Sequence, residues 1–232
     1  MDARAQHTYI LLPAYQAART LGPTLEAIPE GWTQNLVLCD DASTDETFTL
    51  AQRYGIPHVL RHPYNKGYGA NQKTLYDFAL SRSDAHFLVL LHPDFQYDPS
   101  LIPTLVAALD AADLVLATRI HDALQGGMPL YKYCANRLLT AIQNRAFGLD
   151  LEEYHSGYRA FRREVLCRIS YQNNSDDFIF DNQVLVQSIQ AGFRIGQIRC
   201  PTRYLPDSSS INFLRSCHYG WGVLKETFRY LS

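Results

Sequence analysis

Three polar side chains, His92, Asp94 and Gln96, alternate along the chain just after an apolar segment. That segment, residues 87–91, is too short for a helix and is followed by Pro93, as is typical of a buried strand. Alternate residues of an extended chain face the same side, so one ligand could meet all three side chains. An imidazole, a carboxylate and an amide oxygen suit a divalent cation that carries phosphate. An ordinary polar turn is the alternative, because Pro and Asp are common in turns.

Two adjacent carboxylates, Asp40 and Asp41, follow a second short apolar segment. Such residues often cap the start of a helix. Here, however, Ser43 and Glu46 match a capping box for a helix at residues 47–54. Because Ser43 would fill the capping role, we expect Asp40 and Asp41 to have a functional one.

Short apolar segments and amphipathic segments alternate through the first half of the chain. We predict strands at residues 9–12, 36–39, 58–61, 87–91 and 113–118. We predict helices at residues 21–28, 47–54, 70–80 and 101–111. This alternation indicates an α/β fold with a Rossmann-like, mostly parallel sheet flanked by helices. Ligands bind such sheets at the carboxyl ends of the strands, where Tyr15, Asp41 and Asp94 fall.

The second half of the chain has a different pattern. Helices are predicted at residues 130–147 and 181–191, with a polar loop at 155–159 between them. No linker separates two domains, so residues 1–232 are predicted to form a single domain. Its halves are residues 1–120 and 121–232.

A last helix is predicted from residue 211 onward, because apolar residues recur there at intervals of three and four. These residues are Leu214, Cys217, Trp221, Leu224, Phe228 and Leu231. The stripe would pack on its own domain or, with Arg215, Lys225 and Arg229 beside it, lie on a lipid surface.

Composition narrows the class of protein. The net charge is −2 without a basic block, which argues against a nucleic-acid partner. The polar amino terminus does not resemble a signal peptide, and no apolar run reaches the roughly 18 residues of a membrane span. Five scattered cysteines without a C-x-x-C pair favour free thiols. We therefore expect a cytoplasmic protein, with peripheral contact at the inner face of the cell membrane as an option.

Several motifs occur in a fixed order along nearly the whole chain. They are L-L-P-A-Y-Q-A at 11–17, L-C-D-D-A-S-T-D-E-T at 38–47, N-K-G-Y-G-A-N at 65–71, H-P-D-F-Q-Y-D-P at 92–99, S-G-Y-R at 156–159 and R-Y-L-P-D-S-S-S at 203–210. Together they resemble the GT-A-fold family 2 glycosyltransferases. The resemblance is strongest to the branch of dolichyl-phosphate mannose synthases and polyprenyl-phosphate hexose transferases. It implies a GT-A fold whose first half binds a nucleotide sugar and whose second half is elaborated on the acceptor side.

The resemblance also implies roles for individual residues. Contacts to the nucleotide sugar fall on Pro13, Tyr15, Cys39, Asp40, Asp41, Lys66, Arg119 and Arg203. Tyr15 would stack on the base, and Arg119 would grip the diphosphate in a bidentate way. His92, Asp94 and Gln96 would hold Mn²⁺ or Mg²⁺.

This chain departs from the family pattern at three places. His92 stands for the first aspartate of the D-x-D motif, which favours Mn²⁺ over Mg²⁺. Ala17 stands where the family has glutamate, which puts one nucleotide contact in doubt. Ser209 and Ser210 stand where glycine and lysine are expected, so one phosphate-binding cation is missing.

The implied reaction is inverting transfer of a sugar from a UDP- or GDP-sugar to a polyprenyl phosphate or to a saccharide of a cell-envelope glycan. Asp94, Arg119 and Asp181 are the candidate catalytic residues. A hydroxyl acceptor needs a general base, for which Asp181 is the best candidate, although it could instead cap a helix. A phosphate acceptor is already anionic and needs none, and His155 and Arg159 would contact it. The alternative is a protein that binds nucleotide sugars with little or no turnover.

Overall fold

The structure, a computed structural model, describes residues 2–201 and 213–231, with the side chains of residues 216–230 in the last helix. Its strands are β1 (Thr8–Ala14), β2 (Leu36–Asp40), β3 (His58–Arg61), β4 (Phe87–Leu90), β5 (Leu114–Thr118), β6 (Arg159–Arg162) and β7 (Ile195–Arg199). Its helices are α1 (Leu21–Glu26), α2 (Thr47–Arg53), α3 (Tyr68–Leu80), α4 (Ile102–Ala108), α5 (Leu130–Phe147), α6 (Arg163–Arg168), α7 (Phe180–Gln190) and α8 (Phe213–Leu231).

The strands form one sheet in the order β3-β2-β1-β4-β6-β5-β7. All neighbours are parallel except β6, which runs antiparallel to both β4 and β5. The mostly parallel sheet, its first five strands and the helices of the first half are confirmed to within a few residues. Strands β6 and β7 and helix α6 were not predicted. Strand β6 begins at Arg159, the last residue of the predicted polar loop.

Both faces of the sheet are covered at its centre, which explains why β1, β2, β4 and β5 are mostly apolar without alternation. Along β1, Ile10 and Leu12 belong to one buried cluster, whereas Tyr9 and Leu11 belong to the other. The same strand therefore contributes to two cores, and its carboxyl end is held in place from both sides.

The first strand was predicted to end at residue 12, before Pro13. Pro13 instead lies inside β1, opposite Cys39 of β2. The pairing of β1 with β4 extends only to Leu11, and the backbone nitrogen of Ile10 points to the β2 side. Because successive amides point to opposite sides, the missing N–H of Pro13 lies on the β4 side, beyond the end of that strand. No ladder hydrogen bond is lost.

Helix α8 packs between α5 and α7 through small residues. A Cβ atom at Gly220 would lie 3.8 Å from a Leu139 methyl group, and one at Gly222 would lie 3.1 Å from Ile179. Val223 is buried, whereas Trp221 is 70% exposed. The helix therefore packs through Gly220, Gly222 and Val223, whereas Cys217, Trp221 and Phe228 of the predicted apolar stripe are exposed. In the described part of the chain, no helix is both long and apolar enough to cross a membrane.

Candidate active site

The chain turns sharply at the carboxyl ends of three neighbouring strands, β2, β1 and β4. Gln16, Ala42 and Phe95 have positive φ angles of 54°, 57° and 56°, although none is glycine or asparagine. Left-handed backbone at such residues costs on the order of 1–3 kcal/mol and is concentrated at functional sites. These turns direct the residues beside them towards one edge of the sheet.

A cavity of about 790 Å³ lies at this edge, within the roughly 300–1,000 Å³ range of small-molecule sites. We call it the sheet-edge cavity. Pro13, Tyr15, Asp41 and Lys66, all predicted nucleotide contacts, line it together with Asp94. Tyr15 is half exposed, so one face of its ring is available for stacking. Arg203, another predicted contact, lies outside the described residues.

The Asp41 carboxylate organises the wall of this cavity. Its Oδ1 accepts hydrogen bonds from the backbone N–H of Lys66 at 2.9 Å and from His62 Nδ1 at 2.6 Å, and its Oδ2 accepts one from the N–H of Gly67 at 2.9 Å. Gly67 has a φ of 104°, and a Cβ atom there would lie 2.6 Å from the carbonyl oxygen of Asp176. Asp41 therefore fixes a glycine loop that no larger residue could form.

Asp40 and Cys39 do not fit the predicted nucleotide contacts, because both are completely buried. Asp40 lies 3.2 Å from Arg61 Nε and accepts a hydrogen bond from the N–H of Ser43. The predicted capping box is wrong: Ser43 Oγ accepts from the N–H of Gln16 instead, and Asp45 Oδ1 accepts from the N–H of Thr47, the first residue of α2, at 3.0 Å. Asp40 thus shapes the turn after β2.

A second, smaller cavity lies under α5 and α8. This helix-side cavity, about 200 Å³ in volume, shares Tyr68, His92, Asp94 and Phe178 with the sheet-edge cavity. Its wall also includes further polar residues, namely Gln96, Arg119, Lys132, Asn136, His155, Asp181 and Tyr219. All three predicted metal ligands therefore line it. The two cavities meet just beyond the carboxyl end of β4.

His92 forms part of the partition between the cavities. Its ring stacks on Tyr68 with centroids 5.3 Å apart, and Gly157 leaves room for it: a Cβ atom there would lie 2.5 Å from His92 Cε1. Burial lowers the pKa of His92, so the imidazole is neutral at pH 7. Its buried Nε2 has no hydrogen-bond partner among the described residues.

Arg119 is held on both sides beside this partition. Glu153, which is completely buried, accepts from the Arg119 backbone N–H at 2.9 Å and lies 3.6 Å from its Nε. The guanidinium lies over the Tyr97 ring, 5.5 Å from its centroid, and donates to Gln96 Oε1 at 3.3 Å. This places a permanent positive charge next to Asp94, whose Oδ1 accepts from the Gln96 N–H.

A small number of side chains at the junction of the two cavities are suited to hold a divalent cation. Among the described residues, no three His, Cys, Asp or Glu side chains come together as a metal cluster. Gln96 does not fit the predicted ligand role as it stands, because its amide oxygen already accepts from a cation. The Asp94 carboxylate and the unpartnered His92 Nε2 remain. Such a set suits an ion that takes most of its ligands from a diphosphate and water.

Asp181 borders the helix-side cavity with both carboxylate oxygens engaged. Tyr68 donates to its Oδ2 at 2.6 Å, and Gln72 donates to its Oδ1 at 3.0 Å. Asp181 also lies in the first turn of α7, where a carboxylate is favoured by the helix dipole. The carboxylate therefore orients Tyr68, the ring on which His92 stacks.

Arg159 does not fit the predicted contact with an acceptor. It is completely buried and donates to the carbonyl oxygens of Ser156, Asp181 and Tyr154 at 2.7, 2.6 and 3.3 Å. The whole guanidinium is thus used to hold the chain before β6 against the start of α7. Arg159 supports the cavity from behind.

His155 lines the cavity as a neutral ring. Its Nδ1 is 2.9 Å from the hydroxyl of Tyr219 on α8, and its buried Nε2 has no partner in the described chain. Burial, with smaller effects from Arg159 and Arg119, lowers the pKa of His155 to about 3. It can donate or accept a hydrogen bond but carries no charge at pH 7.

The low pKa of His155 predicts a pH dependence of stability. In the unfolded chain, His155 takes up a proton below its ordinary pKa of 6.5, whereas in the folded chain it does not until about 3. Stability therefore falls as the pH falls, by about 1 kcal/mol between roughly pH 6.5 and 5.5 for this residue. The free energy of unfolding, measured with urea at several pH values in this range, should change less with pH in His155→Gln than in the wild type. The exposed His218 is the matched control, and an equal change in His218→Gln would contradict the assignment.

Several site residues were missed in the sequence. Lys132 and Asn136 lie four residues apart on α5, a spacing that places them on one face of the predicted helix. Burial and the nearby Arg119 lower the pKa of Lys132. Tyr68 lies within the N-K-G-Y-G-A-N motif but was assigned no role, and Phe178 had only its position beside Asp177 to point to it.

Comparison with known proteins gives a consistent result. The model described as "Glycosyl transferase family 2" matches residues 9–169. Glycosyltransferase AglJ of Haloferax volcanii is 27% identical over 210 residues, which cover 88% of this chain and 65% of AglJ. Polyprenol monophosphomannose synthase of Mycolicibacterium smegmatis is 25% identical over 83% of this chain and 76% of its own length. Dodecaprenyl-phosphate galacturonate synthase of Rhizobium johnstonii is 25% identical over 82% of this chain and 56% of its own length.

Solved structures show the same architecture. Glucosyl-3-phosphoglycerate synthase from Mycobacterium tuberculosis, in complex with phosphoglyceric acid, superposes with a TM-score of 0.72 at 19% identity and covers 97% of this chain and 80% of that one. Its complex with Mn²⁺, uridine diphosphate and glucosyl-3-phosphoglycerate gives a TM-score of 0.70 at 17% identity, over 97% of this chain and 80% of that one. At this identity the likeness concerns the fold.

Proposed function

The chain belongs to glycosyl transferase family 2 and has the GT-A fold, and from this we propose that it transfers a sugar, with inversion, from a nucleoside diphosphate to an acceptor. The observation that carries the proposal is the meeting of the two cavities at Tyr68, His92, Asp94 and Phe178. A donor in the sheet-edge cavity and an acceptor in the helix-side cavity would be held with their reacting atoms close together.

The donor in this proposal is a UDP- or GDP-sugar in the sheet-edge cavity. Tyr15 would stack on the base, and the loop that Asp41 fixes would line the nucleotide. Lys66, whose side chain is exposed at the rim, would meet the diphosphate. A nucleotide fits this edge of an α/β sheet, and the similar M. tuberculosis enzyme was solved with uridine diphosphate.

Charge on the departing diphosphate is offset at the partition between the cavities. Bound Mn²⁺ or Mg²⁺ would neutralise part of it, and Asp94 and His92 would hold that ion. Arg119 adds a fixed positive charge that Glu153 and Tyr97 keep in place. Because these groups are oriented before the reaction, they need not rearrange as charge develops.

The acceptor in this proposal is a polyprenyl phosphate. Arg119 and Lys132 supply two cations to the helix-side cavity, and Met128, Leu139 and Phe178 supply apolar surface. That pairing suits a phosphate with an apolar chain, and two of the relatives are named for polyprenol or dodecaprenyl phosphate. Contact with a membrane surface follows from such an acceptor.

A phosphate oxygen would attack the anomeric carbon on one face of the sugar while the bond from that carbon to the diphosphate breaks on the other. The attacking oxygen already carries negative charge, so no proton has to be removed and Asp181 serves to orient Tyr68. A saccharide acceptor would instead require Asp181 to take a proton from a hydroxyl group. Transfer to the lipid phosphate and to an oligosaccharide, measured side by side, decides between the two acceptors.

The donor is tested by thermal denaturation with UDP-, GDP-, CDP- and dTDP-sugars, each with and without Mn²⁺. A ligand at 100 times its dissociation constant adds about 2.7 kcal/mol to the free energy of unfolding. We expect one nucleotide series to stabilise the protein in an Mn²⁺-dependent way and to be turned over slowly. Stabilisation without hydrolysis or transfer would support the alternative, a protein that binds nucleotide sugars. No stabilisation by any donor would refute both.

Lys132→Met tests the acceptor side. Removing one of two cations should raise the KM for polyprenyl phosphate at least about tenfold, since a hydrogen bond to a charged group contributes about 1.5–3 kcal/mol. The KM for the donor should not change, because Lys132 does not line the sheet-edge cavity. Arg137→Met, which removes an exposed cation of the same helix, is the matched control. An unchanged acceptor KM, or a change in the donor KM alone, would contradict the assignment.

A further inference from the structure

We infer that one outer face of α5 and α8 binds the surface of an anionic lipid bilayer. This two-helix face consists of Tyr131 and Leu138 on α5 and Trp221 and Phe228 on α8. The inference rests on the proposed function, because a lipid-linked acceptor has to be met at a bilayer. It goes further in naming the surface that makes the contact.

The two helices run side by side in the same direction. Gly220 faces Leu139 near one end of the contact, and Phe147 meets Tyr230 near the other, with ring centroids 4.6 Å apart. A helix turns about 100° per residue, so the residue before Leu139 and the residue after Gly220 rotate to the same outer side. Those residues are Leu138 and Trp221.

The other two side chains of the two-helix face point to the same side, because each is seven residues, close to two full turns, from the first one on its helix. Tyr131 precedes Leu138 by seven positions, and Phe228 follows Trp221 by seven. The four side chains are 44%, 63%, 70% and 62% exposed in chain order. Large apolar side chains that share one exposed face mark an interaction surface, whereas single ones do not.

Charge identifies the partner. Helices α5 and α8 contain six basic residues and one acidic residue, a net charge of +5, although the whole chain has a net charge of −2. The remainder of the chain is therefore at −7. Arg145 and Lys225 are exposed next to the apolar side chains. Apolar residues flanked by cations on amphipathic helices suit the interface of a bilayer with anionic lipids.

The same helices form the wall of the helix-side cavity. Leu139 lines the cavity next to Leu138, and Tyr219, two residues before Trp221, contacts His155 inside it. A phosphate head group that enters from the bilayer would thus meet the cavity beside the two-helix face. A second copy of the chain is a poorer partner, because a symmetric dimer through this face would bring two patches of net positive charge together.

The test is vesicle flotation with phosphatidylcholine vesicles, with and without phosphatidylglycerol. We expect binding to the anionic vesicles only, weakened by salt, and at least about tenfold weaker in the double variant Trp221→Ser, Phe228→Ser. Tyr64→Ser removes an aromatic side chain that is 65% exposed elsewhere and should bind as the wild type does. Fluorescence adds a second readout: Trp32 is buried, so a blue shift on binding reports Trp221.

Equal binding of the double variant, or equal binding to neutral vesicles, would overturn the inference. So would a dimer in size-exclusion chromatography that the double variant abolishes, since a second copy would then cover the face. Donor-induced thermal stabilisation, measured without vesicles, separates this result from the proposed function. A double variant that keeps donor stabilisation but loses vesicle binding supports both. Vesicle binding by a wild type that no donor stabilises refutes only the proposed function.

Discussion

Asp94→Asn is expected to lower the rate of sugar transfer about a thousandfold, because charge stabilisation at a reacting centre contributes on this scale. Asp94 is the one carboxylate that the described chain places at the junction of both cavities and beside Arg119. Asparagine keeps the size of the side chain but removes its charge. Its amide oxygen can still accept the Gln96 N–H, so the turn after β4 should persist.

Transfer, donor hydrolysis and melting temperature, each with and without Mn²⁺, check this expectation. Nucleotide binding in the absence of metal should survive, since Tyr15 and the Asp41 loop are unchanged. Asp98→Asn is the matched control: Asp98 accepts from the N–H of Ser100 and lines neither cavity, and asparagine caps a helix as well as aspartate does. Metal-dependent turnover that survives in Asp94→Asn would refute the assigned role.

Arg159→Met is expected to destabilise the fold by about 3 kcal/mol or more. Three carbonyl oxygens would lose their donor inside the structure, and each buried unpaired group costs about 1–3 kcal/mol. Arg159→Lys should recover only part of the loss, because one ammonium group cannot reach three acceptors in the planar fork of a guanidinium. Urea unfolding with a constant m-value measures the change.

Arg163 offers a matched comparison. It also donates to three carbonyl oxygens, those of Arg82, Ala85 and Leu80, but in a partly exposed place where water can replace it. Arg163→Met should therefore cost much less. If Arg159→Met is instead as stable as the wild type and raises the acceptor KM, the residue faces the acceptor as the sequence suggested and the structural role assigned to it is wrong.

The regular part of the fold could be predicted because it follows from local patterns. Residues 130–147 were predicted as a helix with the observed ends, and the first five strands were placed within a few residues. Strand β6 could not be found in this way, because four residues with arginine at both ends carry no apolar signature. Its position between β4 and β5 depends on pairing with distant partners.

The site could be predicted only where chemistry and strand ends coincide. Asp41, His92 and Asp94 follow strand ends, and they do meet at the sheet-edge cavity. Asp40, Asp41 and Arg159 show the limit: all three are charged and lie at or next to strand termini, but each is buried with internal partners. Neither residue type nor spacing distinguishes a carboxylate that faces a ligand from one that holds a turn, because burial is decided by the whole fold.

The antiparallel strand β6 also bears on the order in which this sheet can be completed during synthesis. Strands β4 and β5 are neighbours in sequence but are separated in the sheet by β6, and Leu90 pairs with Arg159, which follows it by 69 residues. A nascent chain that ends near residue 120 therefore carries two apolar strands without a shared partner, and both retain an open edge. We therefore expect a fragment of residues 1–120 to aggregate until residues 159–162 are supplied.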